Sequence, residues 1–379
     1  MSTEQPALSA APAQRVRPLE LFFDLVFVFT ITQIASVLAD DPSGRGLLRC
    51  LLLLAVTWWM YGGFAWLTNS LDLDRTRPRL LVLAGTGAFF LMSVAVPRTF
   101  EEGPWGLLFG LAYLGVVLVH TLGFLTSSGR AGILRLGPLN LTAALLVVAA
   151  GAAPAATRGW LIAGAALLEV VSPFLVGIGG FTVGVGHFVE RHGLAVLILL
   201  GESIAEVGAA ASHERAVAPV VLGALLALAL SAALWWLYFD REDRDSESLL
   251  EAVPPELRGR SSLYSYGYAY LVLIFGIAVA AVGMEECVSG FDVPLHGTEA
   301  LLLPLGLSLF LFGAACFHRV LARSWPLQRL AAAGSVWTVL PAARVAGWCA
   351  LVLATALVVA LTAAEGRSGP SAGVVAEGS

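Results

Sequence analysis

The sequence predicts an all-α polytopic membrane protein of about twelve transmembrane helices, and two observations predict it. Of 379 residues, 58% are hydrophobic and 13% charged, with a mean hydropathy of +0.82, a balance that no ordinary soluble domain of this size shows. Apolar runs of about 20 residues recur throughout, each matching a hydrocarbon core roughly 30 Å thick at about 1.5 Å per helical residue. That pattern fits helices and not a barrel.

Taken in order, the runs place spans near residues 19–39, 47–69, 79–97, 105–126, 133–153, 158–178, 190–211, 216–239, 261–283, 299–321, 327–341 and 343–363. The eleventh is the shortest. All 22 basic residues are Arg, and their distribution sets orientation through the positive-inside rule. With the N-terminus inside, sixteen fall on cytoplasmic segments and six (Arg45, Arg49, Arg98, Arg158, Arg215, Arg344) outside. Both termini are therefore expected in the cytoplasm, with an even number of spans. The first 15 residues are polar and rich in Pro and Ala without an apolar core, so the first helix is expected to be retained and not cleaved as a signal peptide. Cys50, Cys287, Cys316 and Cys349 are scattered with no CxxC pair, which predicts neither a disulfide framework nor a sulfur-ligated metal site. The net charge of −5 sits largely in loops such as Arg241–Glu256, expected to be a solvated hinge.

A weak internal duplication runs through the chain. Glu20–Ala35 aligns with Glu190–Ala205, Trp58-Trp59-Met60-Tyr61 recurs as Trp235-Trp236-Leu237-Tyr238, and His120 has a counterpart in His318. These pairings predict two parallel six-helix repeats, 17–178 and 179–363, the second containing a cytoplasmic hinge at 240–260. Residues 1–16 and 364–379 are expected to be disordered cytoplasmic ends.

Polar residues inside apolar spans are where function should be sought, because an Asp at the centre of a membrane helix costs roughly 2.5 to 3.5 kcal/mol on insertion scales. In the first span, Arg17, Glu20 and Asp24 fall within about 60° of one another at 100° per residue, while Gln33 lies on the far side. Arg17 is near enough to reach Asp24. Two readings stay open, a structural ion pair at the helix end or a cytoplasmic mouth for an ion or proton. In the seventh span His187, Arg191, His192, Glu202 and Glu206 project within an arc of about 140°, with Leu, Ile and Val opposite. Glu202 falls near the midplane, where it must be protonated, paired or wetted. The run His187–Arg191, which includes Glu190, has His and Glu three apart, but no second ligand cluster accompanies it, so capping and lipid contact explain it better than zinc. Glu169 lies four residues before Pro173, and a proline kink beside a carboxylate can open a polar pocket. Tyr264, Tyr266, Tyr268 and Tyr270 suggest an interfacial aromatic belt. Asp72, Asp74, Arg75 and Arg77 suggest a salt-bridged turn.

RPLELFFDLVFVFTITQ at the start, TNSLDLD after the second span and HFVERHGLAVLILLGESIAEVG in the seventh resemble the bacterial low temperature requirement protein A (LtrA) family, over essentially the whole chain. The resemblance implies a multi-spanning protein of the bacterial cytoplasmic (inner) membrane tied to growth in the cold, and it supplies no molecular activity. Glu20-Leu-Phe-Phe-Asp24 also resembles the first-helix signature of two-repeat endolysosomal potassium channels, with Phe23 in place of Ser and Leu194 at the matching position of the second half.

The expected function is secondary transport of a small solute or ion through buried carboxylates, with Arg17, Glu20, Asp24, Glu169, His187, Glu190, Arg191, Glu202 and Glu206 along the pathway. A cation channel of the two-repeat type, or a non-transporting role in growth at low temperature, are the alternatives. No nucleophile with an adjacent base appears, so no enzyme activity is expected. The expected partners are the lipid bilayer and an unidentified small solute or cation, with no cofactor, metal or nucleic acid; oligomerisation is left open.

Overall fold

The computed structural model describes residues 16–181, 183–211 and 217–367, and these form helices joined by turns and short loops. The first six helices are α1 (Pro18–Asp40), α2 (Gly44–Asn69), α3 (Thr76–Ala95), α4 (Trp105–Leu125), α5 (Arg130–Ala152) and α6 (Ala155–Val176). They are followed by α7 (Val185–Ala211), α8 (Val217–Leu237), α9 (Arg244–Glu251), α10 (Pro255–Ser262), α11 (Tyr270–Ser289), α12 (Glu299–Ala322), α13 (Leu327–Ser335), α14 (Val339–Ala343) and α15 (Gly347–Arg367). Ten helical stretches among the described residues are long and apolar enough to cross a membrane. Their outer faces carry exposed Leu80, Trp160, Leu167 and Phe174, the apolar surface that a lipid environment accommodates and water does not.

Local chemistry fixes the ends. Pro18 opens α1, and the Glu20 carboxylate accepts the free backbone N–H of Arg17 at 3.1 Å. Ser43 caps α2 by accepting from the Arg45 and Gly46 amides. Chain exit from α6 occurs at Gly177, whose φ of +72° a residue with a Cβ adopts only with strain.

Three expectations on architecture change. Among the described residues ten stretches, against about twelve expected, meet the length and hydropathy of a span; α7 is a further long helix of 27 residues. The span expected at 327–341 is instead a 9-residue α13 and a 5-residue α14 joined by a 3-10 turn at Val336–Thr338. The stretch expected as a hinge at 240–260 is helical: α8 runs through a π segment (Tyr238–Asp243) into α9, and α10 runs through another (Leu263–Ala269) into α11. Only 252–254, which ends in Pro254, separates α9 from α10, and Leu250 of α9 is buried. A hydropathy window ends where polar residues begin, whereas a helix continues past the bilayer as long as its backbone is satisfied. The side chains of 241–244, and residues 1–15 and 368–379 of the expected disordered ends, lie outside the described residues.

At the centre α1 packs against α2, α3, α7 and α11, while α11 packs in addition against α12, α7 and α15. α11 is enclosed along most of its length, with Leu273 through Met284 buried without a break.

Candidate functional site

Where α1 and α7 begin, they run side by side in the same direction, so that Glu20 meets His187 and Asp24 meets Arg191 with a constant offset along the chain. Spacing of four on each helix puts both acids on one face of α1 and both bases on one face of α7. His187 Nε2 lies 2.8 Å from Glu20 Oε2. Arg191 donates to Asp24 Oδ1 from Nε at 3.1 Å and from Nη2 at 2.9 Å, and its Nη1 donates to the Thr68 hydroxyl at 2.5 Å. Glu20 Oε1 stands 3.6 Å from the same guanidinium. Arg191 and Asp24 are 0% exposed and Glu20 1%, so the charges are compensated inside the protein or not at all. The guanidinium also lies over the rings of Phe23 (5.3 Å) and Tyr61 (5.6 Å), a seat for a planar cation.

With Glu20 and Asp24 ionised and Arg191 charged, the set carries one negative charge in excess. It is neutral when it holds one proton, on His187 or on a carboxylate. Asp24 Oδ2, Glu20 Oε1 and His187 Nδ1 are buried without a hydrogen-bond partner among the described residues, so the set has unused positions for that proton and for water.

α7 joins this set to a cavity. Phe188 and His192, which interleave with His187 and Arg191, line a space of about 80 Å³ on another side of the helix. Its walls include Trp58, Trp59 and Trp66 of α2, Phe124 of α4 and Tyr266 beside α11. Trp58 is fixed by donating its indole N–H to the Gly267 carbonyl at 2.9 Å. His192 is held by its Nδ1 at 2.8 Å from the Phe188 carbonyl, with its ring 4.7 Å from that of Tyr266.

The remaining expected residues lie apart. Arg17 pairs with exposed Asp74 at 3.2 Å and not with Asp24, whose partner is Arg191. Glu190 is exposed and accepts the Val16 amide at 3.2 Å. Glu169 is buried against α4, where the Tyr113 hydroxyl donates to its Oε1 and also reaches the Val56 carbonyl at 3.4 Å. Among the described residues no hydrogen bond or ion pair joins it to the Arg191 set. Glu202 is half-buried in a shallow groove with Thr32 and Ser203 and has no polar partner among the described residues. The Glu206 side chain lies outside the described residues. Thr68, Tyr61, Tyr113 and Asn140 carry polar functions that the sequence reading passed over. Asn140, a lone amide in the middle of an apolar span, was legible by the same rule applied to the carboxylates.

These features define a multi-pass helical membrane protein with a buried charge set beside a cavity. The family model for the bacterial low temperature requirement A protein (LtrA) matches residues 15–364, and the chain belongs to that family. It is 27% identical over 330 residues to an uncharacterized protein, RA0937, of Rhizobium meliloti (strain 1021), covering 82% of this chain and 79% of that one. No solved structure matches the chain.

Proposed function

We propose that this LtrA-family protein is a proton-coupled secondary transporter of a small solute in the bacterial inner membrane, with Glu20, Asp24, His187 and Arg191 holding the coupling proton. The observation that carries the reading is the juxtaposition on α7: one face holds a buried charge set that balances only with one proton, and the next face lines the cavity. Gain or loss of that proton changes how firmly α7 is held to α1, and any shift of α7 moves Phe188 and His192 in the cavity wall. Glu202, half-buried and unpaired farther along α7, is a second station for a proton on the same helix.

Two six-helix repeats in the same orientation fit this role. The neighbours α1–α2, α1–α3, α3–α4 and α2–α6 recur as α7–α8, α7–α11, α11–α12 and α8–α15, and α1 and α7 point the same way. Arginine density supports an orientation with the charge-set end of α2 and both termini in the cytoplasm. A cation pore along α1 is the weaker reading, since Arg191 sits against Asp24 and would repel a passing cation. A role in growth at low temperature would then be met by the transported solute.

The test is proton flux in proteoliposomes loaded with a pH-sensitive dye, under an imposed solute gradient drawn from a panel of small metabolites. Wild-type protein is expected to move protons with at least one solute, and His187→Gln and Asp24→Asn to abolish the coupling while the folded protein persists. Solute movement with unchanged proton coupling in both variants would remove the charge set from the mechanism. Absence of any flux across the panel would overturn transport.

A further inference from the structure

The cavity beside α7 has a composition that selects its occupant. None of the residues lining it is Asp, Glu or Arg, so an ion entering it would lose its hydration shell without gaining a counter-charge. Three tryptophan rings, three phenylalanine rings and one tyrosine ring line it, and broad ring faces favour a flat, apolar body. Four polar side chains interrupt this wall, His192, Tyr266, Asn140 and His120, and the last two bear on the occupant. Asn140 of α5 is 1% exposed and its Oδ1 has no hydrogen-bond partner; His120 of α4 is 3% exposed and its Nδ1 has none. Buried amide and imidazole groups in proteins are almost always satisfied, so an unsatisfied pair at one cavity points to a molecule that completes it. A carboxamide and a neutral imidazole together offer both a donor and an acceptor. A water needs about 10 to 15 Å³ by the same measure, so 80 Å³ admits about five to eight non-hydrogen atoms.

We infer that this cavity is the solute site and that it takes a small, flat, uncharged molecule carrying a hydrogen-bond donor and acceptor on one edge, an azole or a small primary amide, held by Asn140 and His120 between the aromatic walls. The inference rests on the transport reading for the word solute; binding itself does not depend on it. Gly62 and Gly63 of α2 contribute to the fit. The α-carbon of Gly63 leaves room for the His120 ring, since a Cβ there would stand 2.7 Å from Nε2, whereas a Cβ on Gly62 meets nothing within 4 Å.

Pyrazole, a neutral five-atom ring with adjacent donor and acceptor, is the probe. Equilibrium dialysis of radiolabelled pyrazole against the full-length protein in lipid nanodiscs, with empty nanodiscs as the blank, reads binding directly. Saturable binding is expected, weakened roughly tenfold or more in Asn140→Leu, which removes one polar partner at similar volume. Gly62→Leu, which grows into the cavity without meeting the backbone, is expected to abolish binding and provides a second reading if Asn140→Leu does not fold. Acetate and 1,3-dimethylimidazolium should not compete. No saturable binding above the blank, or equal binding by wild type and both variants, would overturn the site; competition by the imidazolium would overturn the uncharged class. Binding without proton flux would leave the site standing and remove the transport reading, and flux without binding would do the reverse.

Discussion

The α11–α12 pair and the α1–α7 pair both bring helices together in the middle of the bundle, and they do so by opposite chemistry. Along α11 and α12 the contact is made by glycines. A Cβ on Gly276 or Gly306 would come within 2.3 Å of a backbone nitrogen of the other helix, and on Gly283 or Gly313 within 2.4 and 2.5 Å. The spacing of seven in each pair puts both glycines of a helix on one face, so the backbones approach closely and gain dispersion contact that lipid cannot replace. Along α1 and α7 the contact is made by charge, with Glu20 and Asp24 facing His187 and Arg191. The glycine contact has one good arrangement. The charged contact has at least two, with and without a proton, and a moving part belongs in the second kind of interface.

The largest expected effect comes from breaking the dry side of this comparison. Gly306→Leu forces a side chain into the α11 backbone and should cost about 4 kcal/mol or more, read as loss of a monodisperse peak on size exclusion in detergent. Gly164→Ala, where a Cβ meets nothing within 4 Å, should leave that peak unchanged. Next is Arg191→Leu, which strands two buried carboxylates and should cost about 3 to 5 kcal/mol in thermal melts of the purified protein. Adding Asp24→Leu should restore at least half of that loss, because an ion pair replaced whole by apolar side chains is close to neutral. Recovery of nothing would mean that Arg191 acts chiefly through Thr68 and the Phe64 carbonyl.

Smaller effects sharpen the contrast between the two halves. Trp58 is 1% exposed and bonded to Gly267, while Trp235, its counterpart in the matching tetrapeptide, is 41% exposed. Trp58→Phe should therefore cost about 2 kcal/mol and Trp235→Phe no more than about 0.5 kcal/mol in the same melts. Equal costs would mean that the outward face of α8 is buried in an assembly of several copies.

Much of the candidate site was legible as a set of residues and little of it as a set of contacts. Glu20, Asp24, His187 and Arg191 stand out in sequence because each is polar within an apolar span. A helical wheel compares positions on one helix, so it joined Asp24 to Arg17 and could not see Arg191, 167 residues away, across the α1–α7 seam. Glu169 was visible for the same reason as Asp24, yet its partner Tyr113 lies on α4 and keeps it out of the set. Asn140 and His120 were visible singly, and only the fold brings them to the wall of one cavity.

By itself the sequence determined the membrane class, the run of apolar helices, the family and the residues whose burial needs compensation, because hydropathy and charge act locally along the chain. The tertiary structure decided which charges neutralise which, that the expected hinge is two helical extensions, and that α7 separates the charge set from the cavity. Those outcomes depend on which helices become neighbours, and spans of nearly uniform Leu, Ala and Val carry almost no record of their neighbours in their own composition.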